Sequence, residues 1–300
     1  MLKIDFVDFW PNFRKNDNYF YHLLKTKYTI EINDTDPDLI FCSCYSNHKN
    51  RYSNHRCKKI FYTGENRGLL CHNGEAWHKT QFNYDLTFTF DETTGQNVYL
   101  PLFVMFLNWF NVDHDDNRDI SYLHNIQDLL DPIKDIDSVL KHKSKFCSFI
   151  VGNNTASLRI QFCQEMQKRS HVDCPGTVLN NTTPIGGRGD QRHKVDYLKN
   201  YRFNIAFENS AHPGYITEKI LHALAARCVP IYWGGSKVTQ YFMPNSFIHV
   251  KSNEFASIIN HVLSINTDQY TEMIRYPVMN ADVMIEFEPA KILEHIVKVL

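Results

Sequence analysis

Short apolar runs separated by polar turns dominate the first third of the chain. Lys3–Asp8 (KIDFVD), Asp38–Cys44 (DLIFCSC), Lys59–Thr63 (KIFYT) and Leu86–Phe90 (LTFTF) are rich in β-branched and aromatic residues. Each is bounded by turn formers and predicts a strand. Between the first two, Tyr19, Phe20, Leu23 and Leu24 recur at helical spacing within Asn18–Lys27 and predict a helix. Strand, helix and strand in succession predict a parallel sheet with helices packed on it. Leu100–Phe110 (LPLFVMFLNWF) is too short for a bilayer span and is broken by Pro101 and Asn108, so it reads as core or a sheltered groove.

The pattern then shifts. After the polar His114–Arg118 (HDDNR), one helix rich in Asp and Leu is expected to run to about Leu140. A basic stretch, Lys141–Lys145 (KHKSK), leads into Phe146–Val151 (FCSFIV), which reads as a buried strand. Ala156–Lys168 has a helical pattern with Leu158, Phe162, Cys163 and Met166 on one face. Phe203–Phe207 (FNIAF) and Val229–Trp233 (VPIYW) read as strands, the second stopped by Gly234-Gly235. Between them Ile216, Ile220, Leu224 and Cys228 form an apolar stripe that predicts a helix over Tyr215–Cys228. Asn253–Leu263, Thr267–Arg275 and Pro289–Leu300 are further expected helices. The domain boundary is placed near Lys143, giving domains 1–143 and 144–300, with the C-terminal helix able to pack back on the first.

Composition narrows the class. A chain of 300 residues with 14% aromatic and 22% charged residues is globular rather than disordered. Its formal net charge of −1 leaves no global field for nucleic acid or an anionic membrane, so any anion site must be built locally. The N-terminal MLKIDFVDFW reaches Asp5 before a signal-like apolar region forms, and a cytoplasmic location, at most peripheral to a membrane, is the expectation. Reduced thiols are therefore expected for the eight cysteines. Cys42, Cys44, Cys57 and Cys71 lie near His48, His55, His72 and His78, but their spacings match no standard zinc site.

One stretch concentrates chemistry: FENSAHPGYITEKI, Phe207–Ile220, between an expected strand and an expected helix. Ligands of open α/β sheets collect where strand carboxyl ends meet helix amino ends. A helix start there offers unpaired N–H groups and partial positive charge to phosphate. Lys219 adds a full charge on the first turn, where a bare cation is mildly unfavourable unless an anion sits above it. Glu218 can accept from a ribose diol and Tyr215 can donate to a phosphate oxygen. The same residues also fit an ordinary capped helix, with Thr217 as cap and Lys219 solvated, and spacing alone leaves both readings open.

Phe207–Gly235 (FENSAHPGYITEKILHALAARCVPIYWGG) closely resembles the signature of the α-1,3/1,4-fucosyltransferases, glycosyltransferase family 10. Two weaker matches precede it in the family's order: Phe61–Asn66 (FYTGEN) and Ser148–Arg159 (SFIVGNNTASLR), the latter with Gly152 where the family usually has Ser. The resemblance implies a GT-B fold, two Rossmann-like domains facing across a cleft. The first would bind the acceptor and the second GDP-fucose. The implied reaction moves L-fucose from GDP-β-L-fucose, with inversion, to a hydroxyl of a GlcNAc-containing oligosaccharide or glycoconjugate. Two alternatives remain: an inverting GT-B enzyme using another sugar nucleotide, and a non-catalytic glycan-binding relative.

On this resemblance Glu65 of TGEN is the expected general base, at a strand end beside Gly64. Arg159 and Lys219 are the expected clamp on the leaving diphosphate, Tyr215 assists the phosphates, and Glu218 binds the ribose. Asn209 joins this donor group, while Glu208 either shapes the fucose pocket or braces the loop. Trp77 and Trp109 are candidate sugar-stacking contacts, with burial in the core as the alternative. Neither Asp34-Thr35-Asp36 nor Asp135-Ile136-Asp137 falls in a strand-end loop. No metal or cofactor is therefore expected, a divalent cation being at most stimulatory.

Overall fold

The computed structural model describes residues 1–45, 56–67, 84–112, 124–185, 191–251 and 254–300. By compactness the chain forms two units, Met1–Met105 with Ile285–Leu300, and Phe106–Met284. His48, His55, Cys71, His72, Trp77 and His78 lie outside the described residues.

In the first unit the strands are β1 (Leu2–Val7), β2 (Ile30–Ile32), β3 (Leu39–Cys42), β4 (Lys58–Tyr62), β5 (Leu86–Thr89) and β6 (Asn97–Tyr99). They form one sheet of order β2-β1-β3-β4-β5-β6 in which every pairing is parallel. All four residues of β3 and of β5 are buried, as expected of strands covered on both faces. Helix α1 (Tyr19–Lys25) starts at Asn18, whose side chain caps the Tyr21 N–H, and buries Phe20, Leu23 and Leu24. Phe20 stacks on Phe41 of β3, so the helical spacing read from sequence is the packing face.

The second unit contains α2 (Ile126–Leu130), α3 (Ile136–His142), β7 (Lys145–Ser148), α4 (Ser157–Gln167), β8 (Val172–Asp173), α5 (Gln191–Leu198), β9 (Tyr201–Ile205), α6 (Glu218–Ala225), β10 (Val229–Tyr232), α7 (Val238–Tyr241), β11 (Ile248–His249), α8 (Phe255–Ser264), α9 (Thr267–Arg275) and α10 (Ala281–Met284). Its sheet, β11-β10-β9-β7-β8, is again parallel. The last helix, α11 (Pro289–Val297), returns to the first unit and packs on α1. Among the described residues no helix is long and apolar enough to cross a membrane.

Three expectations change. The division falls after Met105 rather than at Lys143, because α2 packs on α6 and α3 on α9. Backbone bonds from Val278 N to Leu129 O (2.9 Å) and Ile133 N to Arg275 O (2.8 Å) fix that attachment. The single Asp- and Leu-rich helix is two, since Pro132 holds Asp131 extended (ψ 149°) and ends α2. Helix α6 is shorter than Tyr215–Cys228: Thr217 is its cap, and it closes in a Schellman turn. Cys228 N bonds Ala223 O and Arg227 N bonds Leu224 O, both at 2.9 Å.

That closure puts Arg227, not glycine, at left-handed φ (49°). Its guanidinium compensates by donating to four carbonyls: Asp128 O (2.6 Å), Tyr276 O (2.9 Å), Asp131 O (3.2 Å) and Ile274 O (3.2 Å). One side chain therefore ties the end of α6 to α2 and to the end of α9. Arg227→Ala should destabilise the protein by about 2–4 kcal/mol, read as a lowered denaturant midpoint in equilibrium unfolding.

Candidate functional site

Strand order locates the crevice of the second unit. The chain passes from β7 outward to β8, then crosses to the other side of β7 to form β9. The carboxyl ends of β7 and β9 are thus the topological switch point, where open α/β sheets bind ligands. The chain leaving β7 carries Asn153 and then α4, and the chain leaving β9 carries Glu208 and Asn209.

Arg159 joins the two exits. It occupies the inward stripe of α4 with Phe162, Cys163 and Met166 and is only 3% exposed, so it is not the solvated arginine that a helix start permits. One terminal nitrogen donates to Asn209 Oδ1 (2.6 Å) and the other to the Asn153 carbonyl. These bonds aim the guanidinium and leave its buried Nε–H without a partner among the described residues. Burial lowers the Arg159 pKa, against the charges of Glu208, Tyr215 and Glu218, but a guanidinium stays protonated. A buried arginine with an unsatisfied donor suits an anionic partner.

Glu208 fixes the start of α6. Its carboxylate, 0% exposed, accepts from Thr217 N (2.7 Å), Thr217 Oγ1 (2.8 and 2.9 Å) and Lys219 Nζ (2.9 Å). Burial pushes the Glu208 carboxyl upward while Lys219 opposes the shift. Lys219 also donates to Thr217 Oγ1 (2.9 Å), using two of its three N–H groups. Burial disfavours the ammonium, yet Glu208, Glu218 and Tyr215 hold its pKa above the ordinary lysine value. Glu218 lies 3.9 Å from the same nitrogen. Burial pushes its carboxyl up, and Lys219 with Lys194 brings it below the usual range. Of the two roles left open for Glu208, bracing is what its bonds perform. Asn209 braces in the same way, through Arg159.

Tyr215 is 2% exposed, in the segment that precedes the cap. That segment rests against Gly235, where a Cβ would come within 2.8 Å of the carbonyl oxygens of His212, Pro213 and Tyr215. A Cβ on Gly234 would lie 2.5 Å from Glu208 Cγ. The Gly-Gly pair is therefore more than a strand stop: it lets β10's exit seat the whole Glu208–Lys219 loop.

In the first unit Glu65 follows β4 by three residues, half-buried, with its N–H on Thr63 Oγ1 (3.1 Å) and its carboxylate accepting from the Tyr45 hydroxyl. Gly64 sits against Leu102, whose side chain would be 2.7 Å from an added Cβ, which accounts for a glycine there. Trp109 is half-buried and belongs to the second unit, not the first as expected. Trp77 lies outside the described residues. Among the described residues no group of three or more His, Cys, Asp and Glu is placed to hold a metal.

Residues 4–106 match the family model described as the alpha-(1,3)-fucosyltransferase FucT N-terminal domain, and residues 140–283 match glycosyltransferase family 10 (fucosyltransferase) C-term. The chain belongs to glycosyltransferase family 10. It is 26% identical over 297 residues to alpha-(1,3)-fucosyltransferase FucT of Helicobacter pylori, a span of 91% of this chain and 59% of that protein. A crystal structure of an alpha1,3-fucosyltransferase superposes with a TM-score of 0.73 at 25% identity, over 99% of this chain and 89% of that one. A second, of alpha1,3-fucosyltransferase with GDP, gives 0.70 at 25% identity over the same shares. The parallel α/β units are those of the GT-B class.

Helix α6 of this family 10 chain has a further support that the sequence did not signal. His222, 3% exposed, shares a 2.8 Å hydrogen bond between its Nδ1 and His124 Nε2, and its Nε2 lies 3.1 Å from Gln191 Oε1. Phe106 meets its ring edge-on. Burial, then Lys194 and Lys219, hold the His222 pKa well below its ordinary value, so the folded state keeps it neutral. The unfolded chain takes up a proton near pH ~6.5, so stability from this residue is complete above that pH and is lost as pH falls below it. Thermal melts from pH 8 to 5 should show the midpoint falling below about pH 6.5, with a shallower acid slope in His222→Gln.

Proposed function

We propose that this protein is an inverting α-1,3-fucosyltransferase that moves L-fucose from GDP-β-L-fucose to a hydroxyl of a GlcNAc-containing glycan, the 4-hydroxyl being a further acceptor position of the same chemistry. The carrying observation is the pairing of a buried Arg159, its Nε–H unsatisfied, with Lys219 on the Glu208 loop at one topological switch point. Family membership and the likeness to an alpha1,3-fucosyltransferase crystallised with GDP support the donor.

Inversion is a single in-line displacement. The acceptor oxygen forms a bond to the anomeric carbon of fucose as the bond from that carbon to the β-phosphate oxygen breaks. Glu65 takes the acceptor's proton, and GDP leaves with the electron pair. Arg159, through its Nε–H, and Lys219, through its remaining N–H, stabilise the charge developing on the diphosphate, each worth about 3–4 kcal/mol at the transition state. Tyr215 assists the phosphates and Glu218 accepts from the ribose hydroxyls. Two cationic side chains supply the charge that a divalent ion supplies elsewhere, so a metal would be at most stimulatory.

The assay is GDP release from GDP-fucose with a panel of GlcNAc-containing glycans, and release should require both substrates. Turnover of a different sugar nucleotide in place of GDP-fucose would replace the donor assignment, and glycan binding without turnover of any donor would replace the enzyme by a lectin-like relative. Lys219→Ala and Arg159→Ala should each weaken GDP binding in calorimetry and cut transfer by about two to three orders of magnitude. Unchanged GDP affinity in both would sink the donor site. Glu65→Gln keeps size and hydrogen bonding but cannot take a proton, so kcat should fall ~10²–10⁴-fold with GDP affinity intact.

A further inference from the structure

The first unit has its own switch point. The chain runs from β1 outward to β2 and then crosses to the far side of β1 to form β3, so the exits of β1 and β3 flank the crevice. Those exits hold an aromatic corner. Asp8 turns in left-handed φ (61°), and its carbonyl accepts from Tyr45 N at 2.8 Å, joining the two exits. Phe9 and Phe13 stack at 4.2 Å, and Phe13 packs on Phe6 of β1 at 5.3 Å, which roots the corner in the sheet.

Trp10 caps this stack. It meets Phe9, Phe13 and Tyr45 at interplanar angles of 62°, 86° and 78°, so among the described residues no ring lies flat on the indole. Trp10 is half-buried. Tyr45 has its ring edge against Trp10 (6.0 Å between centroids) and its hydroxyl donating to Glu65 Oε1. The carboxylate assigned as base is thus connected, in two contacts, to an aromatic surface at the switch point.

We propose that this corner is the acceptor subsite: Tyr45 is the positioning residue of the Glu65 carboxylate, and the Trp10 indole is the surface on which the acceptor's sugar ring packs. The proposal rests on Glu65 being the base of the fucosyl transfer proposed above. A pyranose presents a face of C–H groups that suits a flat aromatic ring, and its rim hydroxyls suit an indole N–H. Stacking at Trp10 would set the acceptor hydroxyl beside the carboxylate that Tyr45 holds. The hydrogen bond from the Tyr45 hydroxyl fixes the orientation of the Glu65 carboxylate. Burial and the Glu65 charge push the Tyr45 phenol upward, so it stays a donor and is no competing base. Tyr62, another neighbour of this carboxylate, is held a neutral phenol by burial and by the Glu65 charge. Arg67, two residues on, is paired with Asp91.

The test compares Tyr45→Phe, Trp10→Ala, Trp10→Phe and Glu65→Gln with the parent, using GDP-fucose and a Gal-GlcNAc disaccharide as acceptor. Tyr45→Phe keeps the ring and loses only the donor. Its kcat should fall about tenfold with acceptor KM unchanged. Both Trp10 variants should raise acceptor KM, with the alanine raising it about tenfold or more and the phenylalanine, which keeps the packing on Phe9 and Phe13, raising it less. GDP affinity and donor KM should be unchanged throughout. An unchanged kcat in Tyr45→Phe, or a fall in kcat matched by a rise in acceptor KM, overturns the positioning role, and an unchanged acceptor KM in Trp10→Phe and Trp10→Ala overturns the stacking surface. Near-normal kcat in Glu65→Gln identifies a different failure, that of the base itself, and takes the subsite down with it.

Discussion

The strand exits of the second unit depend on one buried carboxylate. Glu208 has no exposed surface and would be costly to ionise alone, yet its three close donors come from only two residues, Thr217 and Lys219. The same bonds satisfy the helix start, hold the lysine and fix the distance between the β9 exit and α6. Removing Lys219 would leave the Glu208 charge stranded in the interior, so the capped helix start and the seating of Lys219 are a single device. Thr217 caps α6, and through Glu208 that cap also aims Lys219.

Much of this was legible because it is local. A β-strand exit, an acidic residue, a threonine and an adjacent Glu–Lys pair lie within fourteen residues, and their bonds close over short sequence separations. The strands read from β-branched and aromatic runs were recovered for the same reason: β3, β5 and β10 are buried throughout, and β4 over Ile60, Phe61 and Tyr62. Strands carried by pairing alone were not. β2 and β8 have two or three residues and sit on sheet edges, and α5 buries only Val195 and Leu198, too few to print a helical stripe. The position of Arg159 was readable in principle. It falls at the first place of an i, i+3, i+4, i+7 stripe otherwise filled by Phe162, Cys163 and Met166, and a charge on an apolar stripe marks a buried one.

What stayed hidden joins residues distant in the chain. His124 and His222 are separated by 98 positions, and nothing in either neighbourhood marks them as a pair. Tyr45 and Glu65 are 20 apart and follow two different strands, β3 and β4. Arg227 looks like a surface residue after a helix until its four carbonyl partners, up to 99 positions away, are seen. Side-chain bonds of this kind have no periodicity. Only the strand order, which sets which exits are neighbours, brings their members together.

On the donor role proposed for Lys219, the lysine's confinement has a consequence for binding. A free lysine side chain loses about 1.5–2 kcal/mol of rotamer entropy when ordered. If Lys219 were solvated, that loss would fall on substrate binding and weaken it equally in the ground and transition states. Tied to Glu208 and Thr217, it is ordered on folding instead, and Arg159 is ordered likewise by Asn209 and Asn153. The local charges of Arg159, Lys219, Glu208 and Glu218 sum to zero, so the cations are held without a large field that would trap the anionic product. An arrangement of fixed donors with little net charge favours charge that appears transiently over charge that stays, and that is the balance a leaving diphosphate requires.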